Sequence, residues 1–245
     1  MDKTTPHRDN TLAPVMTQSG ALKDQRNQVT KDALKTIYLV TVGTIAGLLA
    51  GGVLIANMGL SETGHILAVL GWSSLWLSTL AFWSVRKAAY LRLGLCRSTG
   101  QLLGLGLLVG VLGMPIASVV ASTVREWLGR APENPQLAYI LVEDASLWVT
   151  LLVGLCVVVI QPLAEEVLYR GALYSAFDSL WGQRAAIVGS SMLFGALHGE
   201  LSIIAGTMTL GLAFGILRAH SGSIFPGYLA HVANNGIAFV AVHMA

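Results

Sequence analysis

Residues 161–171 read Gln161-Pro-Leu-Ala-Glu165-Glu166-Val-Leu-Tyr-Arg170-Gly171, and they follow directly on an apolar run. An ionisable side chain at the centre of a bilayer costs about 2.5 kcal/mol or more, so such residues in apolar segments indicate a functional site. Two later apolar segments each carry a histidine at a helical spacing, in Phe194-x-x-x-His198 and His231-x-x-x-Asn235. The three patterns together predict chemistry performed within a membrane.

Composition supports a membrane location for the whole chain. Of its 245 residues, 54% are hydrophobic and 11% are charged, and the mean hydropathy is +0.65. Soluble domains carry about 25% charged residues. The net charge of +2 is too small to predict a nucleic-acid partner. Cys96 and Cys156 form no CxxC pair, so we expect neither a structural disulfide nor a thiolate metal site.

The hydrophobic pattern predicts an all-α integral membrane protein with about seven transmembrane helices. A spanning helix needs about 20 mainly apolar residues. The last three candidates are short or closely spaced, so six and eight spans are the alternatives. The candidate spans are 37–57, 65–85, 101–124, 146–164, 185–199, 201–217 and 224–243.

Charge and polarity divide the chain into three parts. Residues 1–36 are polar and lack the apolar region of a signal peptide, so they are predicted to be a disordered cytoplasmic tail. This tail holds six Lys/Arg and the loop after the second span holds four, which places the N-terminus in the cytoplasm. Residues 37–145 are predicted to form three transmembrane helices without an assigned role, and residues 146–245 are predicted to form a helical core that contains the three motifs. The expected location is a bacterial inner or plasma membrane.

Glycines recur at four-residue steps in three of the predicted spans. Small residues at this spacing allow two helices to approach closely. We expect them to pack helices within the monomer, and a dimer interface is the alternative. These glycines are Gly43, Gly47 and Gly51, then Gly106 and Gly110, then Gly211 and Gly215.

The two adjacent glutamates are predicted to have different roles. Successive helical residues point in directions about 100° apart, so Glu165 and Glu166 do not share a face. Glu166 and Arg170 are four residues apart and can form an ion pair that supports the helix. Glu165 then faces a cavity, where a desolvated carboxylate makes a competent general base. A purely structural ion-pair cluster is the alternative.

The two histidine patterns provide the other candidate groups. Gly195 and Gly199 flank His198 and would allow a close approach by a neighbouring helix or a substrate. His231 and Asn235 share a helix face, where an imidazole and a carboxamide can hold water, bind a metal or stabilise an oxyanion. The polar groups of three late helices are all satisfied if they converge on one site.

The three motifs, in this order, resemble those of the CPBP family. This family comprises CAAX-type prenyl endopeptidases and bacteriocin-processing or immunity proteins, also called Abi, and the resemblance covers about residues 146–243. It implies a role for Glu165 as the base. It also implies that Glu166 and Arg170 are supporting residues and that the remaining site residues are His198, His231 and Asn235.

The resulting hypothesis is an intramembrane endopeptidase acting on a membrane-associated peptide or protein. Glu165, helped by His198, would activate water, while His231 and Asn235 would stabilise the oxyanion. No cofactor is favoured because HExxH is absent, but zinc held by Glu165, His198 and His231 is the metal-dependent alternative. A catalytically silent immunity or partner-binding protein is a second hypothesis. A proton-coupled transporter is a third, although no duplicated halves are visible.

One inconsistency remains at the level of sequence. The fourth span should bring Glu165 to the cytoplasmic side, whereas His198 falls at the opposite end of the fifth span. Either the span boundaries are misplaced or the fifth helix is re-entrant. We expect the motif residues to line one cavity, because catalytic groups must lie within reach of one another or of a shared water.

Overall fold

The computed structural model describes residues 12–87, 93–130 and 145–244. All regular structure in these ranges is helical, which confirms the all-α part of the predicted fold class. Seven helices follow one another within the described ranges. They are α1 (Leu12–Ala56), α2 (Glu62–Lys87), α3 (Gly100–Trp127), α4 (Leu147–Trp181), α5 (Gln183–Ala196), α6 (Leu201–Ser221) and α7 (Phe225–Met244).

Five of these helices are long and apolar enough to cross a membrane, namely α1 to α4 and α6. Helix α5 has 14 residues and is about 21 Å long at 1.5 Å per residue, shorter than the ~30 Å hydrocarbon core. Integral membrane character is therefore supported, whereas the number of seven spans stays a prediction.

The prediction that residues 1–36 are disordered is wrong for residues 12–36. Helix α1 begins at Leu12 and continues without a break into the first apolar segment. Ala33 is fully buried and joins the hydrophobic core that also contains α4. Extending an existing helix avoids the cost of nucleation, and packing adds stability that composition does not reveal. Residues 1–11 lie outside the described residues.

The predicted boundary of the fourth span at residue 164 is also wrong, since α4 continues to Trp181. Two π-helical segments widen it, Leu155–Ile160 and Glu166–Leu173. Pro162 follows the first of these segments and has no amide hydrogen. The wider turn accommodates the proline without breaking the helix, because a π segment absorbs a local change in hydrogen-bond register.

The long α4 resolves the inconsistency over His198. Gly182 has φ +82° and reverses the chain, so α5 returns along the second half of α4. Glu165 lies 16 residues before Trp181, and His198 lies 15 residues after Gln183, so each is about 23 Å from the turn. The two residues therefore lie at a similar level of the bundle.

The glycine steps pack helices within the monomer, as predicted. A Cβ atom on Gly47 would lie 1.9 Å from the Trp76 indole, which itself donates to the Gly43 carbonyl at 3.0 Å. A Cβ on Gly215 would lie 3.3 Å from Ile187. In both places the missing side chain creates the space that the neighbouring helix occupies.

Candidate active site

The Glu166–Arg170 ion pair lies at the centre of the C-terminal bundle. The Arg170 Nη1 to Glu166 Oε1 distance is 3.1 Å, and both side chains have zero exposure to solvent. The pairing predicted from their spacing is therefore present. The contact is close but does not align as a hydrogen bond, so it acts through charge. Removing either partner would leave an uncompensated buried charge.

Arg170, on α4, contacts two other helices. Its Nη2 donates to the Gly211 carbonyl on α6 at 3.1 Å. Its guanidinium lies 4.4 Å from the ring centroid of Phe194 on α5 and 5.3 Å from that of Phe214 on α6. Aromatic faces attract a desolvated cation. Arg170 therefore fixes α4 relative to α5 and α6 as well as neutralising Glu166.

His231 lies between the two carboxylates. Its Nε2 is 3.6 Å from Glu165 Oε2, and its Nδ1 is 3.4 Å from Glu166 Oε1. The side chain is 6% exposed. The two glutamates do project differently, yet both reach the same imidazole, which their positions on a helical wheel did not predict. The imidazole thus connects the neutralised Glu166 to Glu165.

The two glutamates differ in their access to solvent. Glu165 is 17% exposed, whereas Glu166 is fully buried. Glu166 also fills the space above Gly227, where a Cβ atom would lie 2.8 Å from its Oε2. Of the two carboxylates, Glu165 is therefore the one that a water molecule or a substrate can approach.

His198 joins this group through Phe194. Its Nδ1 lies 2.9 Å from the Phe194 carbonyl, which indicates that Nδ1 carries the hydrogen and that Nε2 is the basic nitrogen. The ring centroids of His198 and His231 lie 5.1 Å and 5.7 Å from the Phe194 ring, both edge to face. One phenyl ring thus separates and orients the two imidazoles.

Asn235 makes a contact that the sequence did not predict. Its Nδ2 donates to the Val157 carbonyl on α4 at 2.9 Å, and its Oδ1 accepts from Asn234 at 3.0 Å. Gln161 donates to Cys156 rather than to Val157, and Pro162 has no hydrogen to donate. Asn235 therefore satisfies a carbonyl that the proline and the wide turn deprive of its helical partner. Its amide carries a second hydrogen besides the one donated to Val157.

The structure brings Glu165, Glu166, Arg170 and His231 into direct proximity. His198 is connected to them through Phe194, and Asn235 is connected through the α4 backbone. Whether all of them line one cavity stays a prediction.

Sequence reasoning missed three residues of this site, namely Gly211, Phe214 and Gly227. Gly227 precedes His231 by four residues and so lies on the same face of α7, which is a signal that spacing alone provides. Gly211 was noted for helix packing, but its carbonyl as an Arg170 acceptor could not be foreseen. Nothing in the local sequence marks Phe214.

A metal site requires several ligating side chains that converge on one point. Among the described residues, no three His, Cys, Asp or Glu side chains are grouped to hold a metal ion. Both nitrogens of His231 face carboxylates of α4. Zinc commonly binds three protein ligands at about 2.0–2.2 Å in a catalytic site. The choice between no cofactor and zinc held by Glu165, His198 and His231 stays a prediction.

Comparison with known proteins adds one finding. Residues 146–237, which are less than half of the chain, match the family model described as type II CAAX prenyl endopeptidase Rce1-like. Comparison with curated proteins and with solved structures gives no match. The matched range contains all three motifs and runs from the start of α4 into α7. The C-terminal part of the chain is therefore similar to the CAAX-type endopeptidases, and the family resemblance predicted from the three motifs is confirmed.

Proposed function

We propose that this protein is an intramembrane endopeptidase in which Glu165 activates the attacking water. The observation that carries the proposal is the unequal environment of the two adjacent glutamates. Glu166 is buried and paired with Arg170, whereas Glu165 is partly exposed beside His231. Two carboxylates with contrasting surroundings are typical of sites where one supports and the other transfers protons. The family match at 146–237 supports the same reaction class.

The proposed reaction begins with Glu165 taking a proton from water. The hydroxide attacks the carbonyl carbon of the scissile peptide bond and forms a tetrahedral oxyanion. His231 and the remaining amide hydrogen of Asn235 stabilise that oxyanion. Glu165 then gives the proton to the leaving amine as the carbon–nitrogen bond breaks, which restores the carboxylate.

His198 has an orienting role in this scheme. Its Nδ1 is engaged by the Phe194 carbonyl, so Nε2 is the nitrogen that can accept a hydrogen bond from the attacking water. We therefore place His198 beside Glu165 as a second acceptor that fixes the direction of attack. Positioning of this kind can supply several kcal/mol of the catalytic effect.

Metal independence is part of the proposal. A carboxylate base and neutral oxyanion donors suffice for hydrolysis without a Lewis acid. The substrate is a peptide or protein segment that reaches the site from the bilayer. A prenylated C-terminus is one candidate, in keeping with the matched family model, and a leader peptide, peptide pheromone or sorting tail is another.

The test uses purified protein reconstituted in liposomes with a panel of peptides. The panel contains one CaaX peptide in farnesylated and unmodified form, together with leader-type peptides. We expect wild type to cleave at least one peptide and Glu165→Gln to be slower by about 10²–10⁴, the usual contribution of a general base. Glu62→Gln, the same change at the start of α2, is the matched control.

Two outcomes would redirect the proposal. Loss of cleavage after dialysis against a strong chelator, restored by zinc, would replace the glutamate mechanism with a metal-dependent one. Intact peptides with a folded wild-type protein, together with retained protection of cells against a bacteriocin by Glu165→Gln, would support the partner-binding hypothesis.

A further inference from the structure

Helix α3 lies outside the region that matches the endopeptidase family, and sequence analysis assigned it no role. In the structure it packs against both α6 and α7, the helices that flank the site. Its first contact is with α7. A Cβ atom on Gly106 would lie 2.2 Å from the Pro226 carbonyl oxygen, and one on Gly110 would lie 2.2 Å from the Ala230 carbonyl oxygen. The backbones of α3 and α7 are therefore in direct contact next to His231.

The opposite end of α3 contacts the turn that carries His198. Arg125 is 6% exposed, and its Nη2 donates to Glu200 Oε2 at 2.9 Å and to the Ser202 hydroxyl at 2.7 Å. The Ser202 hydroxyl also donates to Glu200. Arg130 reaches the other oxygen of Glu200 at 3.0 Å. The carboxylate of Glu200 is thus held mainly by the buried Arg125 on α3, because the ion pair with the exposed Arg130 contributes at most about 1 kcal/mol.

Glu200 is also hydrogen-bonded to His198, two residues earlier in the chain. The Glu200 amide donates to the His198 carbonyl at 3.0 Å, and the Glu200 carboxylate caps α6 by accepting from the Ser202 amide. Gly199 lies between them with φ +81°, in the left-handed region. The His198 amide itself donates to the Gly195 carbonyl in the last turn of α5 at 3.0 Å. A restrained Glu200 therefore restrains the backbone position of His198.

We propose that α3 is a positioning helix of the active site, with Gly110 setting the location of His231 and the Arg125–Glu200 contact setting that of His198. The proposal rests on the proposed function, because it assigns a role in that reaction. It makes residues 100–127 part of the catalytic unit, so that unit is larger than the 146–237 match. Catalysis is sensitive to such placement, because a displacement of about 1 Å can lower the rate about 10²-fold.

Gly110→Ala tests the contact with α7, and Gly104→Ala is its matched control on the same helix. A Cβ on Gly104 meets nothing within 4 Å, whereas one on Gly110 meets a backbone carbonyl that cannot rotate away. We expect Gly104→Ala to behave as wild type. Gly110→Ala should lower kcat by about 10²-fold on a peptide cleaved in the liposome assay, with KM changed far less.

Arg125→Lys tests the contact with Glu200 and covers the case in which Gly110→Ala fails to fold. Lysine keeps the charge but cannot bridge a carboxylate and a hydroxyl from one planar group. Arg130→Gln is its control, because that side chain is 56% exposed and touches the same carboxylate. We expect kcat to fall for Arg125→Lys and to stay unchanged for Arg130→Gln.

Imidazole ¹⁵N NMR in detergent provides a readout that does not depend on any substrate. Wild-type His198 should show the Nδ1–H tautomer that its contact with Phe194 indicates. In Arg125→Lys, His198 should become a mixture of its two tautomers. In Gly110→Ala, the His231 signals should shift. Both variant proteins should still be folded. Unchanged imidazole spectra in folded variants would overturn the proposal, even if their stability fell. Shifted spectra with no peptide cleaved by wild type would instead count against the proposed function alone.

Discussion

Replacing Arg170 with methionine should destabilise the protein more than any surface charge change. Arg170 and Glu166 are both fully buried at 3.1 Å, so the substitution leaves a carboxylate without its cation in the bundle interior. Breaking a buried pair in this way costs about 3–5 kcal/mol. The loss of two aromatic contacts, at 4.4 Å and 5.3 Å, acts in the same direction.

The assay is the thermal unfolding midpoint of purified protein in one detergent. At about 2–4 °C per kcal/mol, Arg170→Met should lower the midpoint by roughly 6–20 °C. Arg130→Gln is the control, because an exposed ion pair contributes at most about 1 kcal/mol. The double variant Glu166→Met with Arg170→Met should recover much of the loss, since an apolar pair of similar volume often replaces a buried ion pair at little cost.

The reasoning would be refuted by an Arg170→Met midpoint close to that of Arg130→Gln. It would also be refuted by a double variant that is as unstable as the sum of the two single variants. Because the two buried partners are coupled, the double-mutant cycle should show an interaction energy of about 0.5–3 kcal/mol.

Two further predictions follow from contacts near the site. Hydrogen bonds from the Ser202 hydroxyl and then the Ser202 amide, followed by the charge of Arg125, lower the pKa of Glu200 below its ordinary value of 4.5. The stabilisation by Glu200 should therefore be present above that pH and be lost as the pH falls through the lowered pKa, so the midpoints of wild type and Glu200→Gln should converge in acid. A difference that persists undiminished in acid would contradict this. Asn235→Ala should cost about 1–3 kcal/mol in thermal unfolding, because it leaves the Val157 carbonyl without a donor, and an unchanged midpoint would show that another group replaces it.

The spacing of residues along the sequence predicted the features that depend on a single helix. The Glu166–Arg170 pair follows from an i, i+4 relation, and the shared face of His231 and Asn235 follows from the same geometry. The all-helical membrane fold follows from apolar length. The packing role of Gly47 and Gly215 follows from four-residue spacing of small residues.

Features that depend on contacts between helices were not predictable in the same way. The continuation of α4 to Trp181 depends on a wide turn that accommodates Pro162, which a regular helical period does not describe. The Arg125–Glu200 contact joins residues 75 positions apart in the chain. The position of His231 between both glutamates required the packing of α7 on α4, and Gly227 makes room for it. Tertiary contacts of this kind leave no periodic signal in the sequence.

The most direct test of the central claim is a comparison of peptide termini in membranes and secreted material from host cells that express wild type or Glu165→Gln. Mass spectrometry would map the N- and C-termini in both samples, with equal amounts of folded and inserted protein. If Glu165 is the catalytic base, at least one terminus present with wild type should be absent with Glu165→Gln, and the uncleaved precursor should accumulate. Identical sets of termini would contradict the claim that this protein cleaves peptide bonds through Glu165.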